Sequence, residues 1–292
     1  MIILQILVNG FLLGGFYTLI GVGFTLVWGV TNIINLAHGA IALLGAYITY
    51  FIFQYWHIDP FISLPVSFLS MFLFGYILQR YLMNLVVRAQ IFMLLILTFG
   101  LEIFLVNFMT TFFSADFKSV TPDYAGSSLV LGDIVIPYIR LGVFMICVLV
   151  TLIMGFFLDR TWTGKAIKAT SLDIEAAMMS GINPSKIYAL TFAFGSGLAG
   201  LSGSLLSLTQ AFSPNIAGGL TLRAFIVSIL GGLGRIEGAF LGGIILGIVE
   251  TMSSYVIGES YKNAIAFGLM VLMLIIKPSG LLGRKYYAEV KH

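Results

Sequence analysis

The stretch Asp159–Lys186 (DRTWTGKAIKATSLDIEAAMMSGINPSK) is by far the most polar part of this chain, and its residue types suit mechanical coupling to a partner. Its middle, Ser171–Ser180, reads as a short helix. Ser171 is placed to cap it, Asp173 and Glu175 stand in a first turn that favours negative charge, and Gly181 with Pro184 shortly after ends it. A short helix on one face can seat in a groove on another protein; the plainer alternative is a solvated loop. Catalytic patterns are missing. There is no HExxH, no GxSxG and no carboxylate pair beside a nucleophile. There is also no GxxxxGK[ST] phosphate loop, since Thr163-Gly164-Lys165-Ala166 lacks both the upstream glycine and the hydroxyl that would reach magnesium. Any ATP coupling must come from another chain. Cys147 is the one cysteine and has no partner for a disulfide or zinc site. No cofactor and no metal are expected.

A second set of residues carries charge or hydrogen-bonding capacity inside apolar runs: Glu102, Glu250 and His38. Such groups are costly at membrane depth, and they face the bundle interior, pair with one another or line a wet path. Either carboxylate could line a path or pair with Arg140 or Arg223. His38 fits a hydrogen-bonded core histidine better than a proton carrier. Asn32 and Asn35 join His38 beside flexible backbone, and Thr209, Gln210, Ser213 and Asn215 form another polar cluster. The candidate translocation path is therefore Asn32, Asn35, His38, Glu102, Gln210 and Glu250.

The elements that must position these residues are membrane helices. Of 292 residues, 59% are hydrophobic and 9% charged. A soluble domain carries about 25% charge, because its surface must be wetted. Spans of about 20 apolar residues are expected at Ile2–Val30, Leu36–Tyr55, Phe61–Leu82, Ile91–Phe113, Tyr138–Leu158, Ile187–Leu208, Leu222–Leu233, Ala239–Ile257 and Ala264–Ile276. The first is long enough to tilt or break. The first charge after Met1 is Asp59, so no basic leader is evident and this first stretch is expected to stay as a helix. The fold class is all-α: a polytopic bundle of eight or nine spans, some discontinuous, forming a single membrane-embedded domain over residues 1–292.

Basic residues concentrate in cytoplasmic loops. Placing Asp159–Lys186 inside, with Arg80, Arg88, Arg235 and the tail residues Lys277, Arg284, Lys285 and Lys291, puts 11 of the 15 basic residues in the cytoplasm. That topology gives an inside C-terminus and an outside N-terminus. The scattered basic residues, without a stripe, argue against nucleic acid. The external connector Ser114–Pro137 alternates at LVLGDIVI and suits a small hairpin or short helix. Two breaks interrupt the apolar pattern, Gly29–Gly39 and Leu230–Gly238, and broken backbone at depth sits in protein or lines a cavity. Small residues recur four apart at Gly10/Gly14, Gly195/Ala199/Gly203, Gly238/Gly242 and Gly243/Gly247, a spacing that lets helices pack closely in lipid.

Glu175-Ala176-Ala177 followed by Gly181-Ile182 resembles the Glu-Ala-Ala…Gly coupling loop of ABC-importer permeases, without that motif's Ile/Leu-Pro pair. The opening Asn9-Gly10…Gly14…Tyr17-Thr18-Leu19, then Asn35-Leu36-Ala37-His38-Gly39 and Gly45-Ala46-Tyr47, resemble the high-affinity branched-chain amino acid permeases. So do Arg223-Ala224-Phe225, Leu230-Gly231-Gly232-Leu233-Gly234, Gly238-Ala239…Gly242-Gly243 and Lys277-Pro278-Ser279-Gly280-Leu281-Leu282-Gly283. The resemblance implies a permease subunit with Asp173, Glu175, Ala176, Ala177, Gly181 and Ile182 coupling it to the ATPases. Its partners would be a second homologous permease subunit, two cytoplasmic ATP-binding subunits and an extracytoplasmic solute-binding protein, all in the inner membrane's setting. The cargo would be branched-chain amino acids, with urea or a short amide as the alternative. A self-sufficient secondary transporter is a further alternative; it would need an ion site built from Glu102, Glu250 or His38.

Overall fold

A computed structural model describes residues 2–86 and 91–283. Eleven α-helices follow in order among them: α1 (Ile2–Thr31), α2 (His38–Trp56), α3 (Pro60–Tyr81), α4 (Ile91–Phe113), α5 (Tyr138–Arg160), α6 (Trp162–Leu172), α7 (Ile174–Met179), α8 (Pro184–Thr209), α9 (Ala217–Gly231), α10 (Ile236–Val256) and α11 (Lys262–Ile276). Nine helical segments among the described residues are long and apolar enough to cross a membrane. Each overlaps an expected span; the seventh begins at Pro214, eight residues before the expected Leu222, and the ninth at Glu259, five before the expected Ala264. The first is continuous for all 30 of its residues, so the break falls after it and not within it. Arg88, Arg284, Lys285 and Lys291, used above to orient the chain, lie outside the described residues.

The nine membrane-length segments are apolar on all sides, as lipid and a packed interior both require. What separates the inner helices from the outer ones is residue size. In α8, 89% of the apolar window is buried, against 6% in α11, so α8 is the axle of the bundle and α11 its outer wall. The small residues of α8 make this possible. A Cβ on Gly195 would press on Gly23 of α1, and one on Gly203 would strike the backbone of Ala42 in α2. Gly10 and Gly14 likewise meet the backbone of Ile248 and Ile244 in α10, so the α1/α10 seam is built from the small residues on both sides.

Of the small hairpin or short helix expected at LVLGDIVI, the hairpin is present. Strands β1 (Ser128–Leu131) and β2 (Ile134–Pro137) pair antiparallel across Gly132-Asp133. Gly132 has φ +62, so the connection has the positive first φ of a two-residue hairpin turn. The side chain of Gln5 clasps β2, donating to Val135 O and accepting from Val135 N, each at 2.9 Å. At the same end Asp59 caps α3 through Phe61 N and accepts from the hydroxyl of Tyr124 at 2.8 Å. Burial, with the neighbouring Asp59 carboxylate, pushes the Tyr124 phenol well above its ordinary value.

Because Gly203 has backbone where a side chain would go, Gly203→Val is expected to cost at least the roughly 1–3 kcal/mol of an overpacked core, whereas Gly268→Ala, with open space around it, should be silent. Thermal unfolding of the two purified variants in the same detergent reads the difference.

Candidate functional site

The polar connector folds as two helices with a sharp elbow between them. Thr161 caps α6 by accepting from Gly164 N. Asp173 then closes α6 and opens α7, its Oδ1 accepting from Glu175 N at 2.9 Å and Ala176 N at 3.0 Å. The expected cap, Ser171, instead lies in the last turn of α6 and donates to Lys168 O. A carboxylate can accept from two amides of the next turn, which a serine within a preceding helix cannot do. The expected ten-residue helix is therefore shorter and starts at Ile174.

Gly181 ends α7 with φ +81. Its N–H donates to Met178 O, and Ile182 N donates back to Ala177 O, so both terminal carbonyls are met by a left-handed cap. Asn183 and Pro184 start α8 directly afterwards. Of the six coupling candidates, Ala177 is buried against the bundle and Ile182 is half-buried, while Asp173, Glu175, Ala176 and Gly181 are exposed. Trp162, Leu172 and Met179 stand out beside them, 71–85% exposed.

The first break re-enters the bundle. His38, the first residue of α2, bonds through Nε2 to Ile20 O and touches Gly23. Thr31 lies eight residues beyond Gly23 along α1, about 12 Å at 1.5 Å per residue. Residues 32–37 therefore climb back that distance, leaving α1 through Asn32 at φ +53 and entering α2 through a turn closed by His38 N donating to Asn35 O. Their polar groups are met one by one: Ile34 O accepts from Thr98 of α4 at 3.1 Å, Leu36 O accepts from Thr221 of α9 at 2.8 Å, and Asn35 Oδ1 accepts from Ala37 N. Thr221 also accepts from Gly39 N at 2.8 Å, so one hydroxyl joins the starts of α2 and α9. At the second break Gly232 and Gly234 take positive φ, and the Lys277–Gly283 segment turns back so that Leu281 N and Leu282 N bond Leu230 O and Gly231 O.

Beside the first break lies a cavity of about 390 Å³ between α1, α4 and α9. Glu102 of α4 enters it, half-buried, with no hydrogen-bond or ion-pair partner among the described residues. Glu250 has a different setting. It is fully buried, accepts from the Tyr17 hydroxyl, from Arg223 Nε at 3.1 Å, and has Lys262 Nζ at 3.5 Å. Arg223 also donates to Tyr17, to Gly219 O and to Asn263 Oδ1. This knot ties α1, α9, α10 and α11 together. Asn35 and His38 are buried and engaged in shaping the start of α2. Asn32 and Gln210 are exposed, just past the ends of α1 and α8.

Tyr17, Thr221, Gly218, Lys262 and Asn263 were not singled out as site residues from the sequence. From the sequence, Glu102 and Glu250 could each line a path or pair with Arg140 or Arg223; the crossing of α9 and α10 brings Arg223 to Glu250.

Comparisons with known proteins show which proteins this chain is similar to. Residues 6–274 match the family described as branched-chain amino acid transport system / permease component. The chain is 33% identical to the high-affinity branched-chain amino acid transport system permease protein BraD of Pseudomonas aeruginosa, covering 98% of each. It is 31% identical to LivH of Escherichia coli K12 over 98% of this chain and 97% of LivH. It is 26% identical to LivM of the same organism over 91% of this chain and 67% of LivM. No solved structure matches.

Removing one side of a buried pair strands the other charge, at about 3–5 kcal/mol. Arg223→Met should therefore destabilise strongly, and adding Glu250→Gln should recover part of the loss. A double-mutant cycle by thermal unfolding measures the coupling.

Proposed function

The chain belongs to the family of branched-chain amino acid transport permeases, and from that premise we propose that it lines half of the passage of an ATP-driven importer for leucine, isoleucine and valine. The named cargo of its relatives supports these solutes over urea or a short amide. The other half of the passage is a second, homologous permease subunit; similarity of this one chain to both LivH and LivM supports such a pairing. Two cytoplasmic ATP-binding subunits supply the work and an extracytoplasmic solute-binding protein delivers the cargo.

The observation that carries this reading is the α6–α7 elbow. A short helix held rigidly at both ends, with Glu175 on its surface and large apolar side chains beside it, fits a groove on a partner. Asp173, Glu175, Ala176, Ala177, Gly181 and Ile182 form the coupling unit, on the cytoplasmic side together with the C-terminus. Ala177 and Ile182 seat the elbow on the bundle, and the exposed residues meet the ATPase. A push on α7 passes through Asn183 directly into α8, the axle against which α1, α2 and α3 pack. Within the membrane, Glu102 borders the path. Asn35, His38 and Glu250 hold its walls, and Asn32 and Gln210 stand at its inner and outer mouths.

Co-expressed with its partner subunits and reconstituted in proteoliposomes, Glu175→Lys should insert and assemble, yet lower leucine import about tenfold or more while basal ATP hydrolysis persists. Gly181→Val should act similarly, because a left-handed φ costs a β-branched residue about 1–2 kcal/mol and re-aims the elbow. Wild-type import with undiminished substrate-stimulated hydrolysis in both variants would remove the elbow from the coupling route.

A further inference from the structure

We infer that Glu102 is the subsite for the substrate's α-ammonium group, inside the cavity between α1, α4 and α9. This inference deepens the permease reading above and rests on it. A carboxylate surrounded by apolar walls is expensive unless a cation or a set of donors compensates it. Glu250, the fully buried carboxylate of the bundle, is compensated in full by Tyr17, Arg223 and Lys262. Glu102 has none of this among the described residues. The nearby hydroxyls are occupied as well: Thr221 is taken by Leu36 O and Gly39 N, and Thr98 by Ile34 O and Leu95 O.

The rest of the cavity specifies what the missing partner is attached to. Apart from Gly218 and the already engaged Thr221, its walls are apolar, with Phe24, Leu36, Leu222 and Phe225 among them, and these suit an aliphatic group. Trp28 stacks on Phe225 at 5.3 Å and stiffens that wall. The volume of about 390 Å³ falls at the small end of the roughly 300–1,000 Å³ typical of ligand sites. Gly218 at the start of α9 keeps room for the carboxylate: a Cβ there would lie 3.3 Å from Glu102 Oε1. One anionic group facing an aliphatic pocket is the complement of a primary ammonium carried on a short branched hydrocarbon.

The test is equilibrium binding of tritiated leucine to the complete complex in lipid nanodiscs, without ATP or binding protein. Two competitors divide the ligand: leucinamide keeps the ammonium and loses the carboxylate, and 4-methylpentanoate keeps the carboxylate and chain and loses the ammonium. Leucinamide should displace leucine from the wild type about tenfold better or more, as loss of a charge-assisted hydrogen bond implies. Glu102→Gln should weaken leucine by a similar factor and erase the preference between competitors, and Glu102→Asp should restore the preference in part. Should Glu102→Gln not assemble, Gly218→Val, which crowds the carboxylate and fills the cavity, should give the same loss.

Glu102→Gln binding leucine like the wild type, or 4-methylpentanoate competing as well as leucinamide against the wild type, would overturn the assignment. If only this subsite is misassigned, the wild-type complex still binds leucine and shows binding-protein-stimulated ATP hydrolysis. If the permease reading itself fails, the wild type does neither, and this inference falls with it.

Discussion

A peptide group in hydrocarbon has no water to bond, and leaving it unpaired costs several kcal/mol. Everything distinctive about this bundle follows from how it meets that constraint where its helices stop at depth. Residues 32–37 return into the bundle without helical bonding because side chains from two other helices reach them, Thr98 to Ile34 O and Thr221 to Leu36 O. At the other break the end of α9 is closed by the chain's own Lys277–Gly283 segment, whose backbone folds onto the last carbonyls. In each case the open backbone is answered by protein, and the interruption leaves α2 and α9 starting side by side inside the bundle.

Close helix contact makes those answers geometrically possible. Gly39 lies against the backbone of Ala217 and Thr221, and Gly45 against that of Gly200, so a hydroxyl or carbonyl from one helix lies within reach of the next. Serines use the same proximity: Ser204 and Ser67 bond each other at 2.7 Å and share the carbonyls of Gly45 and Gly200. Small residues thus do two jobs here. They let dispersion hold the helices together without a hydrophobic drive, and they bring polar groups into hydrogen-bonding range.

The polar side chains then divide by whether the fold already uses them. Glu250, Arg223 and Tyr17 are fully engaged and fasten α11 to the bundle through Lys262 and Asn263. Glu102 has no partner among the described residues, and it faces the cavity. The same contrast holds at the α6–α7 elbow, where Asp173 is consumed in capping while the Glu175 side chain is exposed on the surface. Residues the fold has left unsatisfied, on a frame made rigid by those it has satisfied, are the ones available to a solute or a partner.

The number, order and extent of the spans were legible in the sequence, because a lipid-crossing helix needs a long apolar run and little else. The hairpin at LVLGDIVI was legible for a similar local reason, alternation around Gly-Asp. So was the end of the elbow at Gly181, where only glycine turns left-handed without cost. The start of that helix was read at Ser171 whereas the fold sets it at Asp173, since several residues there could cap and only the fold shows which amides are free. Which carboxylate is neutralised and which is left open could not be read from the chain at all. Glu102 and Glu250 both stand in apolar runs, and their difference is created by helix crossings that bring Arg223 and Lys262 to one and an apolar cavity to the other. Sequence patterns record what each helix is made of; the pairing of charges between helices depends on which faces meet, and tertiary packing alone decides that.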